Sequence, residues 1–191
     1  MKSILIAILA GALLSHIPVF AAEVEGIKLA DKVRVSDAGP DLVLNGAGVR
    51  TRVFFRVYVG ALYLQRKQEG TDAVLADAGP KRVAMYLLRD LTAEQLLSAL
   101  KDGLASNHSP EQLAKMESQV RQLEGIFNAV KAAKSGDVIL LDYLPGAGTR
   151  VTINQDNKGT IPGEDLYRAL LRIWLGEKPV DASLKKAMLG R

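Results

Sequence analysis

Cysteine is missing from this 191-residue chain. That excludes disulfides, thiolate nucleophiles and cysteine-bound metal, and leaves an apolar core to hold the fold together. Histidine is nearly missing as well: His16 falls in a leader-like segment and His108 stands alone beyond it, which gives a histidine-based zinc site no basis. Neither sign of charge dominates. There are 25 basic and 21 acidic residues, a net charge of +4, and the basic ones are scattered rather than clustered. Nothing in that pattern calls for nucleic acid. Beyond residue 21 no stretch is long and apolar enough to span a bilayer. Internal repeats, low-complexity segments and domain linkers are absent too.

What is present begins with a leader. Met1-Lys2-Ser3 is a short basic start, Ile4 to Leu14 an apolar run, and Val19-Phe20-Ala21 places small residues where a signal peptidase reads them. His16-Ile17-Pro18 interrupts the apolar run, so it is too short for a membrane anchor. The expectation is a signal peptide over residues 1–21, cut after Ala21, export to the periplasm, and one domain over residues 22–191.

The rest is organised around Leu44 to Leu64, which opens with Gly46-Ala47-Gly48 and runs into residues rich in Val, Phe and Tyr. Such residues suit a half-buried strand. Read as one strand, it shows an apolar odd-numbered face from Val53 to Tyr63, and a mixed even-numbered face of Arg52, Phe54, Arg56 and Tyr58. The mixed face is the candidate cleft wall. The G-x-G is followed by strand, not helix, so it reads as a bulge or tight turn and not a phosphate loop.

Either side of this stretch the pattern alternates between strand and helix. Short strands are expected over residues 24–29 and 32–35, a short helix within residues 70–78, and a strand over residues 81–88. Thr92-x-x-Gln95 and Ser109-Pro110-x-Gln112 look like capping boxes of two helices, the second running to Ser135-Gly136. Their apolar stripes, Leu96 to Leu104 and Leu113 to Val130, read as core. Residues 137–143 and 149–155 form an antiparallel hairpin across Leu144-Pro145-Gly146-Ala147-Gly148, and Asp156-Asn157-Lys158-Gly159 reads as a further turn. A helix starts at Glu164-Asp165 and closes at Gly176; Asp181 caps a last one. The fold class is α+β, a largely antiparallel sheet covered on one face by helices.

The segment Gly46-Ala47-Gly48-Val49-Arg50, followed by Arg56-Val57-Tyr58-Val59-Gly60-Ala61-Leu62-Tyr63-Leu64, resembles the chalcone isomerase superfamily in its exported bacterial branch. The helices after Lys81 and the closing Gly159-x-Ile161-Pro162 run agree in order, so the resemblance covers most of the chain. It implies an open-faced β-sandwich with a ligand cleft between sheet and helices. It also implies either of two roles, ring closure of chalcones to flavanones or non-catalytic holding of a fatty acid. Arg50 stands where both kinds of member keep a cleft arginine. Tyr58 matches the fatty-acid binders, where the enzymes carry Thr. The enzymes' cleft Tyr and Asn fall near Leu96 and Gly103, neither of which donates a side-chain hydrogen bond. Their late Thr or Ser falls close to Tyr167.

The functional expectation is a periplasmic binding protein for a small apolar anion such as a fatty acid. Arg50 and Tyr58 would hold the headgroup and Phe54 would lie along the tail, with no catalytic residue, cofactor or metal. The chain is expected as a monomer or weak oligomer. A structural ion pair is the alternative role for Arg50. The alternative functions are an isomerase or lyase, for which Tyr86 and Tyr143 are donors by residue type alone, and an interaction protein of the cell envelope. His108 reads as part of an exposed inter-helix turn.

Overall fold

A computed structural model of the chain describes residues 20–130 and 132–191. The expected leader lies outside the described residues, except for the backbone of Phe20 and Ala21. That backbone opens β1 (Phe20–Val24), which pairs with β2 (Ile27–Ala30). Glu25 and Gly26 make the turn between them at φ of 52° and 75°. That turn splits the strand expected over residues 24–29.

The main sheet is an antiparallel meander of seven strands. Its members in chain order are β3 (Lys32–Val33), β4 (Leu42–Arg52), β5 (Phe55–Leu64), β6 (Lys81–Leu87), β9 (Val138–Leu144), β10 (Gly148–Ile153) and β11 (Asp156–Ile161). Each lies beside its neighbour in that order. β7 (Leu91–Thr92) and β8 (Ala132–Ala133) form a small separate pair. A short α1 (Thr71–Ala76) sits between β5 and β6. Between β6 and β9 the chain makes α2 (Ala93–Asn107), α3 (Pro110–Lys115) and α4 (Glu117–Val130). After β11 come α5 (Asp165–Leu175) and α6 (Ala182–Met188). The α+β architecture with helices on one side of an antiparallel sheet is as expected.

The central stretch differs from its expectation in a way that matters. It is not one strand but two, β4 and β5, folded back at Val53-Phe54 so that Arg52 pairs with Phe55 and Arg50 with Tyr58. Neither turn residue is a Gly, Asn, Asp or Pro, the residues that ordinarily announce a hairpin, so the fold-back left no local signal. Two register shifts accompany it, at Asn45 and at Val57. A bulge adds one residue and exchanges the faces on either side of it. Beyond Val57, therefore, Tyr58, Leu62 and Leu64 face the helices, while Val59, Ala61 and Tyr63 face away.

Other boundaries moved for similar reasons. The second expected helix is two: Met116 leaves helical dihedrals and buries its side chain, and α4 ends at Val130, short of Ser135. No local residue breaks it, so packing sets the break. The turn expected at residues 156–159 is instead part of edge strand β11. The real turn is Asn154-Gln155, both at positive φ. Polar composition there blunts a sheet edge. Both capping boxes form as expected, Thr92 with Gln95 and Ser109 with Gln112, and Asp181 accepts from the amides of Ser183 and Leu184.

Two apolar cores result, one on each face of the sheet. The larger joins the sheet to α2, α4, α5 and α6; the smaller lies under the β1–β2 hairpin. The G-x-G belongs to neither a turn nor a phosphate loop. A Cβ at Gly46 would lie 2.0 Å from the Ala187 carbonyl oxygen, and one at Gly48 2.6 Å from the Ala187 methyl. These glycines let α6 approach β4 at backbone distance. Asn45, at the bulge beside them, donates to the carbonyls of Gln68 and Met188 at 2.9 and 2.8 Å.

Candidate functional site

Between the sheet and the helical layer lies a cavity of about 300 Å³. Its floor is the end of the β4–β5 hairpin with Met85 and Leu141; its roof comes from α2, α4 and α5. The amphipathic stripes of those helices put Leu96 and Leu100, Leu123 and Phe127, and Leu170 and Ile173 into the wall. The walls are mainly apolar, with polar groups contributed by Arg50, Arg52, Tyr58, Arg89, Gln95 and Trp174. Gln95 is held elsewhere, since its side chain accepts from the Thr92 amide at 3.0 Å in the capping box.

Arg50 and Tyr58 are brought together by direct cross-strand pairing. The guanidinium carbon sits 5.7 Å from the centre of the Tyr58 ring. The Tyr58 oxygen accepts a hydrogen bond of 2.7 Å from the indole N–H of Trp174. Its own proton remains available for a ligand acceptor, since no bond is donated by this hydroxyl among the described residues. Burial pushes the Tyr58 phenol up to about 12, against the opposing pull of Arg50 and of the Trp174 hydrogen bond. The hydroxyl is thus a donor at any physiological pH.

Arg50 makes no ion pair among the described residues. Its Nε is buried and without a hydrogen-bond partner. A buried donor on a cation is rarely left so, and its cost falls when a ligand acceptor arrives. The nearby carboxylate of Asp181 is engaged, accepting from the Thr51 amide at 3.0 Å and capping α6.

The third expected site residue is placed differently. Phe54 is at the hairpin tip, 91 % exposed, and is not in the cavity wall. Phe55 and Val57 are there instead, because the Val57 bulge puts both on the same side as Tyr58. For the same reason Arg56 points to the other face and pairs with Glu25. Leu96 lines the cavity, whereas Gly103 is where α2 meets α5; a Cβ there would lie 2.8 Å from Ile173. Tyr167 is buried elsewhere and donates to the Leu141 carbonyl at 3.2 Å. Tyr143 packs on Tyr167 with ring centres 5.4 Å apart, and Tyr86 lies on the opposite face of the sheet. His108 is half-buried in the turn after α2, its Nδ1 donating to Leu104 at 3.0 Å. Trp174 was missed as a site residue. Its signal was that a lone Trp in an apolar helix stripe must find an acceptor for its N–H when buried.

Comparison with curated proteins finds no match to the sequence. Among solved structures, a fatty-acid binding protein of Arabidopsis thaliana superposes with a TM-score of 0.64 at 15 % identity, over 86 % of this chain and 92 % of that one. At that identity the likeness speaks for the fold. The sequence itself matches the chalcone isomerase-like family over residues 21–190, nearly the whole of the described chain. With its meander, helical layer and arginine-bearing cavity in place, this chain belongs to the chalcone isomerase-like family.

Proposed function

We propose that this protein is a non-catalytic, periplasmic binding protein for a small apolar anion such as a fatty acid. The observation that carries the proposal is Arg50: a cation with a buried, unpartnered Nε and no ion pair among the described residues, set beside a neutral phenol in the wall of an apolar cavity. A carboxylate placed there receives charge-assisted bonds from the guanidinium and a further bond from Tyr58, while its tail lies among Phe55, Leu96, Phe127 and Leu170. A volume of about 300 Å³ is at the small end of ligand sites, which suits a ligand of modest size. The fatty-acid binding described for the Arabidopsis structure supports the same reading. So does the lack of polar donors at Leu96 and Gly103: ring closure needs preorganised donors around developing charge. The leader-like start supports export.

Native mass spectrometry of the protein purified from a periplasm, beside Arg50→Ala and Tyr58→Phe, tests this. The expected result is a stoichiometric organic acid in the wild type. Affinity should drop roughly tenfold or more in Arg50→Ala, with a smaller loss in Tyr58→Phe. The intact mass reports at once whether the exported chain begins at Ala22. A wild-type cavity that is empty and ignores added acids, or an Arg50→Ala variant that keeps its ligand, overturns the reading. Circular dichroism establishes that each variant is folded.

A further inference from the structure

Among the described residues, three large apolar side chains are strongly exposed, and they are consecutive: Val53 at 76 %, Phe54 at 91 % and Phe55 at 60 %. Isolated exposed hydrophobics need no explanation, but three in a row, two of them forming a turn, do. Turns of that length favour Asn-Gly and similar pairs. Here a β-branched residue holds a φ of 58°, in a region that disfavours it. Local backbone preference is set aside to keep an apolar tip.

Cations surround that tip. Arg52 precedes it, Arg56 follows it, and Arg89 lies over the Phe55 ring at 4.8 Å. Glu25 answers Arg56, and Asp90 is occupied by Lys134 and the Ser135 amide. Arg52 and Arg89 form no ion pair among the described residues. The same segment is the rim of the cavity, since Arg52, Val53, Phe55 and Arg89 all line it.

We infer that the β4–β5 tip docks on an anionic lipid surface, with Val53 and Phe54 at the acyl boundary and Arg52 and Arg89 on headgroup phosphates. An apolar wedge ringed by cations is complementary to that interface on both counts. A second copy of this chain would bring arginine against arginine, which is unfavourable. Docking stands on the tip alone. That a bound acid enters or leaves through a mouth pressed to the bilayer rests on the binding reading above.

Flotation of the purified protein with vesicles of phosphatidylcholine alone, or mixed with phosphatidylglycerol, tests the inference. Binding is expected only to the mixed vesicles, weakening as salt rises. Phe54→Asp should lower it roughly tenfold or more and Arg52→Glu by about as much, both remaining folded; Phe54→Asp, outside the cavity wall, should also keep any cavity ligand. Arg50→Ala should float like the wild type, so a failed cavity reading and a failed docking reading show in different variants. No flotation with either vesicle, or Phe54→Asp floating unchanged, overturns the docking. So does a wild-type dimer that Phe54→Asp dissolves, which assigns the tip to a second copy.

Discussion

The two faces of the sheet treat half-buried arginine in opposite ways. Under the β1–β2 side, Asp142 is wholly buried and accepts from Arg82 at 2.6 and 2.8 Å and from Arg150 at 2.6 Å. Arg150 also reaches the Val35 carbonyl, while its Nε, like that of Arg50, is buried without a partner. Under the helical layer Arg50 has no carboxylate, a phenol for company and a cavity before it. The first arrangement supplies its own anion and ties β6, β9 and β10 to the loop before β4. The second leaves its cation without a protein carboxylate among the described residues. Burial alone does not distinguish a structural arginine from a binding one; what matters is whether the protein supplies the anion.

The strongest test of that contrast is Asp142→Ala, which strands two arginines without their shared anion. It should cost about 3–5 kcal/mol in denaturant unfolding, and a loss below 1 kcal/mol would mean water already serves those cations. Next comes pH. The Tyr58 phenol is raised above its ordinary value by burial, so its contribution to stability is intact below pH ~10 and is lost as pH climbs through about 12. A rise from its ordinary value to about 12 corresponds to roughly 2–3 kcal/mol at most. Unfolding measured across that window should show a component that Tyr58→Phe removes; an unchanged alkaline profile would place Tyr58 in water. The smallest expected effect is the most telling. Arg50→Met should change stability by less than about 1 kcal/mol, because no ion pair is broken. Should it destabilise as Asp142→Ala does, Arg50 belongs with the structural arginines and the contrast collapses.

Much of this architecture was readable because capping chemistry is local. Thr92, Ser109 and Asp181 announce their helices through side chains a few residues from the amides they satisfy. The β4–β5 fold-back was hidden for the converse reason. Val53-Phe54 carries no turn chemistry, and its conformation is imposed by strand pairing on both sides. The bulge at Val57 was equally silent, and one unseen residue was enough to exchange Phe54 for Phe55 in the cavity wall. Arg50 and Tyr58 were proposed from the family resemblance, and the hairpin that joins them was not foreseen. They meet because they are cross-strand partners. Asp142 could be seen in the sequence, but not its two arginines, which come from other strands.

The glycines under α6 have a consequence for how the chain is made. Asn45 and Met188 are joined by a side-chain hydrogen bond across 143 residues. Gly46 and Gly48 therefore present a strip without side chains that nothing covers until the last turn of helix has been synthesised. Contacts this distant in sequence close late and slow the search for the native state. Until then this part of the sheet face stays uncovered, and surface exposed in that way during folding is prone to wrong association. The hairpin that floors the cavity is translated well before the helix that covers its glycines.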